Sequence, residues 1–130
     1  MKKPALASRL RFSRPVVDDF AAAKMIGVRS GREHRFTGIW AVVVRGRVFV
    51  RSWSDREGGW RDAFRAEPRG EARCGERRVA VRLRPARGAR LLEQIDRAYA
   101  EKYDTKASLK WVRGFRVPWR RATTAELRPR

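Results

Sequence analysis

Arg29-Ser30-Gly31-Arg32, followed by Arg35, is the stretch of this chain whose residue types best suit binding chemistry. Guanidinium groups grip phosphate oxygens in bidentate fashion. A glycine in such a turn lets the backbone come close to a ligand. Ser30-Gly31 is also an ordinary turn signal, so a solvated hairpin tip explains the same residues. Gly58-Gly59-Trp60 is the second candidate. Two glycines ahead of a helix leave backbone N–H groups free where the dipole favours an anion. Arg51 and Ser52 lie between the two stretches. Arg51 is expected opposite Trp40, where cation and ring can stack. Alternatively, Arg51 reaches a phosphate while Trp53 or Trp60 lines a ring pocket. Five tryptophans in 130 residues suit stacking on a planar ligand.

Other reactive side chains are sparse. His34 is the sole histidine, which excludes a His-rich metal site; no metal is expected. Beside three arginines it reads as a surface residue. Cys74 is the sole cysteine, so no internal disulfide forms and a reducing cytoplasm fits. It is read as a partly buried, inert thiol rather than a reactive one. Lys102-Tyr103 offers a donor and a phenol, but Tyr103 also completes the apolar stripe of a helix. No set of residues forms a catalytic constellation, so catalytic residues stay unassigned.

The element that must position these groups is Ile39 to Trp53, read IWAVVVRGRVFVRSW. Two apolar runs flank Arg45-Gly46, the short-range signature of a β-hairpin. With that loop, Val44 faces Arg47, Val42 faces Phe49 and Trp40 faces Arg51. One face holds Ile39, Ala41, Val43, Val48, Val50 and Ser52, and should point into a core. The other mixes Trp40, Val42, Phe49 and Trp53 with Arg47 and Arg51, and needs a cover, a partner or a ligand.

Around this hairpin the chain reads as helix, strand, hairpin, short helix, hairpin, long helix and final strand. Residues 1–14 are basic and expected to form a loose arm. Ser13 and Pro15 mark a helix start, and Gly27 its stop. Ser54–Gly59 is a loop. Trp60–Ala66 is a short helix ended before Pro68. Glu71–Cys74 and Arg78–Arg84 form a second hairpin around Gly75. Arg87–Tyr103 is the clearest helix, with Leu92, Ile95, Tyr99 and Tyr103 in one stripe and Glu93 paired to Arg97. Thr105–Gly114 has Trp111 and Phe115 as anchors. Ala122–Leu127 is the last strand. Short antiparallel strands with few helices indicate an α+β, mainly β, architecture: one split-barrel domain over residues 15–130 with helices packed outside.

The segment Arg29–Arg84 resembles the split β-barrel proteins that bind FMN or deazaflavin coenzymes, in particular the deazaflavin-dependent nitroreductases. The resemblance rests on Arg29-Ser30-Gly31-Arg32, the hairpin Val48–Ser52, Gly58-Gly59-Trp60 and Ala66-Glu67-Pro68. The helix end Ala98-Tyr99-Ala100-Glu101-Lys102-Tyr103 looks more like a related bacterial family of no assigned function. What the resemblance implies is a coenzyme phosphate held by Arg29, Arg32 and Arg35, the Ser52–Gly59 loop near the ring or phosphate, and a homodimer with the coenzyme at the subunit interface. Asp55, Arg56 and Glu57 stand where the deazaflavin group tends to have small residues.

The balance of 33 Lys plus Arg against 14 Asp plus Glu, a net +19, points to phosphorylated or polyanionic partners. An arginine-rich composition gives the same figure, and the arginines are scattered along the chain. No apolar run approaches the roughly 18 residues of a membrane helix. The N-terminal stretch lacks a signal-peptide core, so a cytoplasmic location without membrane partners is expected. Three functions follow: a flavin- or deazaflavin-binding protein, as an enzyme an oxidoreductase acting on a small organic acceptor; a basic nucleic-acid-binding protein; or a coenzyme-free split-barrel interaction module.

Overall fold

The computed structural model describes residues 10–130, so most of the arm expected over residues 1–14 lies outside it. Seven antiparallel strands form one sheet in the order β2-β1-β5-β6-β7-β4-β3. The strands are β1 (Ile26–Ser30), β2 (Thr37–Ile39), β3 (Ala41–Val44), β4 (Arg47–Val50), β5 (Arg69–Cys74), β6 (Arg77–Pro85) and β7 (Ala125–Pro129). Five helices accompany them among the described residues: α1 (Arg14–Ala22), α2 (Trp60–Ala66), α3 (Ala89–Lys102), α4 (Leu109–Gly114) and α5 (Pro118–Arg121). The two edge strands, β2 and β3, are consecutive in the chain and separated only by Trp40. One segment therefore runs from one edge of the sheet to the other, and the sheet is nearly closed into a barrel.

The central hairpin has the expected register: Val42 opposes Phe49 and Val44 opposes Arg47. Arg45 and Gly46 form its tip with φ of 56° and 71°, the left-handed pair that a two-residue loop requires. Ala41, Val48 and Val50 point inward and are fully buried with Ile26, Val28, Ala72, Val81 and Leu127. Phe20 of α1 and Phe64 of α2 join that interior. The outward face is covered by α3: Val42 and Phe49 pack with Ile95, Tyr99 and Tyr103, and with Val112 and Phe115. The cover that the Trp40-to-Trp53 face needed is thus the chain's own long helix. Removing a buried aromatic such as Phe49 costs about 3–5 kcal/mol in comparable cores.

Several local expectations are corrected. Gly27 does not stop the first helix. The chain turns extended at Ala23, and Gly27 lies inside β1, where Phe36 leaves little room for a Cβ. The arm's end is anchored as well, because Phe12 meets Phe20 at 5.4 Å between centroids. The long helix begins at Ala89, since Gly88 has φ +112°. The last strand begins at Ala125 rather than Ala122. The hydroxyls of Thr123 and Thr124 instead donate to the Arg120 and Arg121 carbonyls at 2.6 Å each, closing α5.

Arg51 does not stack on Trp40. Its side chain is wholly buried between sheet and helices. There it donates to Asp96 Oδ1 at 2.6 Å, Thr124 Oγ1 at 2.8 Å and the Phe115 carbonyl at 3.2 Å. A fourth bond runs to the Leu92 carbonyl at 3.3 Å. Asp96 also accepts from Arg121 at 3.0 Å. Trp40 stacks instead on Tyr103, at 3.9 Å and 4°. Once the helix removes water from this face, a guanidinium here needs a carboxylate more than a ring. Replacing Asp96 by Ala leaves that guanidinium buried and unpaired. The expected loss is about 3–5 kcal/mol of unfolding free energy in urea titration. A loss under about 1 kcal/mol, the range of an exposed pair, would show that Arg51 finds water instead.

Candidate functional site

Between the β2–β3 bend, the loop after β4 and the start of α2 lies a cavity of about 510 Å³, well within the size of small-molecule sites. Four of the chain's five tryptophans line it: Trp40, Trp53, Trp60 and Trp111. Met25, Ile39 and Phe115 complete the apolar wall, and Ser52, Ser54, Asp55, Arg56, Arg61 and Asp62 supply polar groups.

Each indole is positioned by an identifiable neighbour. Trp40 is clamped by Tyr103. Trp53 accepts the Arg120 guanidinium over its ring at 3.6 Å, and Arg120 Nε donates to the Trp53 carbonyl at 2.9 Å. The Trp53 ring occupies the place a Cβ would take at Gly114. Trp111 meets Trp53 edge-on at 4.8 Å, and Trp60 meets Phe64 edge-on at 6.2 Å. Trp111 and Met25 keep 41% and 58% exposure, so apolar surface reaches the outside near this site.

Of the coenzyme-binding residues expected from the sequence, Arg51, Ser52, Gly59 and Trp60 lie on this wall, as does Trp53, the alternative ring contact, whereas Gly58 does not. Arg51 adds no free charge to it, because its guanidinium is consumed by Asp96 and three other acceptors. Ser52 is tied back to the chain: its N–H donates to Thr123 Oγ1 at 2.9 Å and its hydroxyl to the Ser54 carbonyl at 2.5 Å. The glycine N–H groups are not free either. Gly58 N–H donates to Asp62 Oδ2 at 3.2 Å and Gly59 N–H to the Arg56 carbonyl at 3.3 Å. Asp62, in the first turn of α2, takes the place an anion was expected to fill.

Arg29, Ser30, Gly31, Arg32 and Arg35 are not on the cavity wall. Arg29 points outward from β1, bonds Glu71 through Nε at 3.0 Å and covers the Phe36 ring at 4.3 Å. Its hydrogen bond holds the Glu71 carboxyl below the usual carboxylate range, against a weaker opposing effect of burial. Ser30 faces inward and donates to the Glu67 and Ala63 carbonyls at 2.7 and 3.1 Å, tying β1 to α2. Gly31 takes φ +60° in the turn, and Arg32, His34 and Arg35 are exposed beyond it.

The site residues that sequence reasoning passed over are Met25, Gly38, Trp40's Tyr103 clamp, Gly114 and Arg120. Gly38 lies against Met25 and Gly114 against Trp53, and Arg120 covers Trp53, contacts between distant segments that are legible only once the fold is known. Cys74 is half-buried with Sγ 3.1 Å from the Asp19 carbonyl, and burial pushes its thiol up. Among the described residues no group of three His, Cys, Asp or Glu side chains is placed to hold a metal ion. No helix among them is long and apolar enough to cross a membrane.

The fold and the site together define a small antiparallel barrel, nearly closed, with an aromatic cavity beside the seam where its edges meet. The chain belongs to the family described as "Uncharacterized protein conserved in bacteria (DUF2255)", whose profile matches residues 17–127. Among solved structures it is similar to the conserved hypothetical protein Rv2991 from Mycobacterium tuberculosis, at 12% identity and a TM-score of 0.59, covering 98% of this chain and 84% of that one. That likeness is one of fold. No curated protein matches the chain.

Lys102 and Tyr103 serve the frame rather than the cavity. Lys102 Nζ donates to the Ala41 and Phe20 carbonyls at 2.6 and 3.0 Å, and the Tyr103 hydroxyl to the Lys24 carbonyl at 2.8 Å. Burial pushes Lys102 down to about 8. Below that value the ammonium is charged in both folded and unfolded chains, and the burial cost is fully present. Between about 8 and the ordinary lysine range the unfolded chain holds more protons, so stability rises with pH. Relative to Lys102→Met, the wild type should therefore gain unfolding free energy as pH is raised from 8 to 10. A difference that stays flat over that window would show that the two carbonyls hold the charge at its ordinary pKa.

Proposed function

We propose that this protein binds a planar aromatic coenzyme that carries phosphate, of the FMN or deazaflavin kind, in the tryptophan-lined cavity. The observation that carries the reading is the convergence of four indoles on one open cavity of about 510 Å³. Trp53 and Arg56 line that volume rather than fill it. Indoles lose little conformational entropy when they grip a flat ring, and cavities of this size bury most of a drug-sized ligand. Arg56 is the wall's cation without a carboxylate, since Arg61 already pairs with Asp55 at 2.7 Å. Arg56 therefore holds the phosphate and the aromatic wall holds the ring, with the Ser52–Gly59 loop between them. Arg29, Arg32 and Arg35 assist only if the ligand extends past the cavity.

The coenzyme supplies the redox chemistry when bound. The chain's residues bind, orient and keep water from the ring. On this reading the enzyme form is an oxidoreductase that passes hydride or electrons to a small organic acceptor. The exposed apolar rim at Met25 and Trp111 is where a second subunit would close the site, which makes the working form a homodimer.

Titration with FMN, riboflavin and a deazaflavin, read by quenching of tryptophan fluorescence, tests the reading. Quenching by at least one phosphate-bearing coenzyme is expected, with riboflavin weaker than FMN. Trp60→Leu should weaken binding about tenfold, the size of one lost stacking contact. Arg56→Ala should erase most of the preference for FMN over riboflavin. No quenching by any of the three, or affinity unchanged in Trp60→Leu, would refute the reading.

A further inference from the structure

Strand alternation sorts the arginines of β5, β6 and β7 onto one side of the sheet, apart from Arg77, which takes the alternate position and pairs with Asp19. Val79, Val81 and Leu83 of β6 pack into the core, and Arg78, Arg82 and Arg84 take the alternate outward positions. The neighbouring strands add Arg69 and Arg73 from β5 and Arg128 from β7. The pairing brings like charges face to face: Arg73 opposes Arg78, Arg69 opposes Arg82, and Arg82 opposes Arg128. Directly opposed like charges weaken a sheet, so these cross-strand pairs do nothing for the fold; of the row only Arg84 opposes a carboxylate, Glu126.

The available carboxylates do not neutralise the row. Glu67 is taken by Arg69 at 3.0 Å, and the buried Glu126 by Arg128 and Arg47 at 2.9 and 2.8 Å. Among the described residues, none of Arg73, Arg78, Arg82 and Arg84 makes an ion pair. All four are exposed.

We infer that the outer face of β5, β6 and β7 binds the phosphate backbone of nucleic acid, without reading its sequence, through the exposed row Arg73, Arg78, Arg82 and Arg84. A strand rises roughly 3.3 Å per residue, so Arg78 to Arg84 spans about 20 Å. That length suits a polymer of evenly spaced phosphates rather than a single phosphate group. Arginine is the residue whose planar fork matches phosphate oxygens bidentately. A membrane surface fits less well, because interfacial binding uses exposed apolar side chains that enter the lipid. The large exposed apolar residues, Leu10, Met25, Leu109, Trp111 and Trp119, all lie off these strands. Phe36, beside the row, is itself capped by Arg73 and Arg78 at 4.7 and 5.4 Å. This surface is separate from the tryptophan cavity, and neither assignment needs the other.

The test is fluorescence anisotropy with a labelled single strand and a duplex of equal length, over a salt series. The wild-type chain should bind both, with log K falling linearly in log salt. The triple variant Arg73→Ser, Arg78→Ser, Arg82→Ser should bind at least about tenfold more weakly and lower the salt slope by about 2 to 3. A control, Arg90→Ser, Arg113→Ser, Arg116→Ser, removes equal charge elsewhere and should bind nearly as the wild type does. The Tm of the first variant should be unchanged or raised, because opposed charges are removed. Four results would overturn the inference: no wild-type binding at low salt; equal loss in the control; a lowered Tm, which would make the row structural; or polyglutamate or phosphatidylserine vesicles captured as tightly through the same three arginines.

Discussion

Both edges of the sheet belong to one stretch of chain, bent at a single residue, and the molecule is built around that bend. A sheet edge with open N–H and C=O groups invites pairing with other chains. Here β2 ends one side and β3 begins the other, with Trp40 as the hinge. The hinge is held by packing. Tyr103, at the C-terminal end of α3, lies flat on the Trp40 ring, and Lys102 binds the Ala41 carbonyl next to it. The site follows from the same geometry. A chain that leaves one edge and enters the other opens a gap, and the tryptophans of neighbouring loops gather around it.

Arg51 shows how the helices are locked to this barrel. It lies just past the end of β4 and reaches α3, the α4–α5 connection and Thr124, between α5 and β7, with one guanidinium. A buried ion pair is weak evidence for stability, because an apolar replacement of the same shape often serves as well. Here α3 supplies two of the four acceptors that the guanidinium meets, Asp96 and the Leu92 carbonyl. Asp96, shared with Arg121, ties α5 into the same arrangement. α5 in turn carries Arg120, which seats Trp53 on the cavity wall. Burial at Arg51 and the placement of Trp53 are thus linked through Asp96 and two adjacent residues of one short helix, Arg121 and Arg120.

The hairpin, its register and its two faces were legible because period-two alternation and a Gly-bearing loop are local signals. The long helix was legible through its stripe of Leu92, Ile95 and Tyr99. What could not be read were partnerships between distant residues. The expected Trp40–Arg51 pair falls just beyond the last rung of the hairpin, Ala41 opposite Val50, and Tyr103 and Asp96, more than forty residues later in the chain, hold the two side chains instead. The glycines before α2 looked open to an anion; Asp62, inside the helix, is near enough to occupy Gly58. The cavity itself was anticipated in half of its walls, Ser52 to Trp60, since that loop is contiguous. The other walls, Met25, Gly38 and Trp111, come from three separate segments that only the closed sheet brings together.

The same contrast bears on the charge. Read linearly, arginines occur all along the chain, and an arginine-rich composition explains them as well as any ligand does. The fold divides them into unlike groups. Arg47, Arg51 and Arg121 are bonded to carboxylates in buried or half-buried settings. Arg29 and Arg120 lie over aromatic rings. Arg78, although it also reaches the Phe36 ring, and Arg82 oppose other arginines where threonine or glutamate would relieve the sheet, and Arg84 opposes a Glu126 already taken by Arg47 and Arg128. The helix-covered face of β3 and β4 instead carries Val42 and Phe49, with Arg47 at its edge. Exposed arginines also lie on the helices, among them Arg65, Arg90, Arg97 and Arg113, so it is the cross-strand arrangement of the β5–β6 arginines, and not the surplus itself, that suits a polyanion.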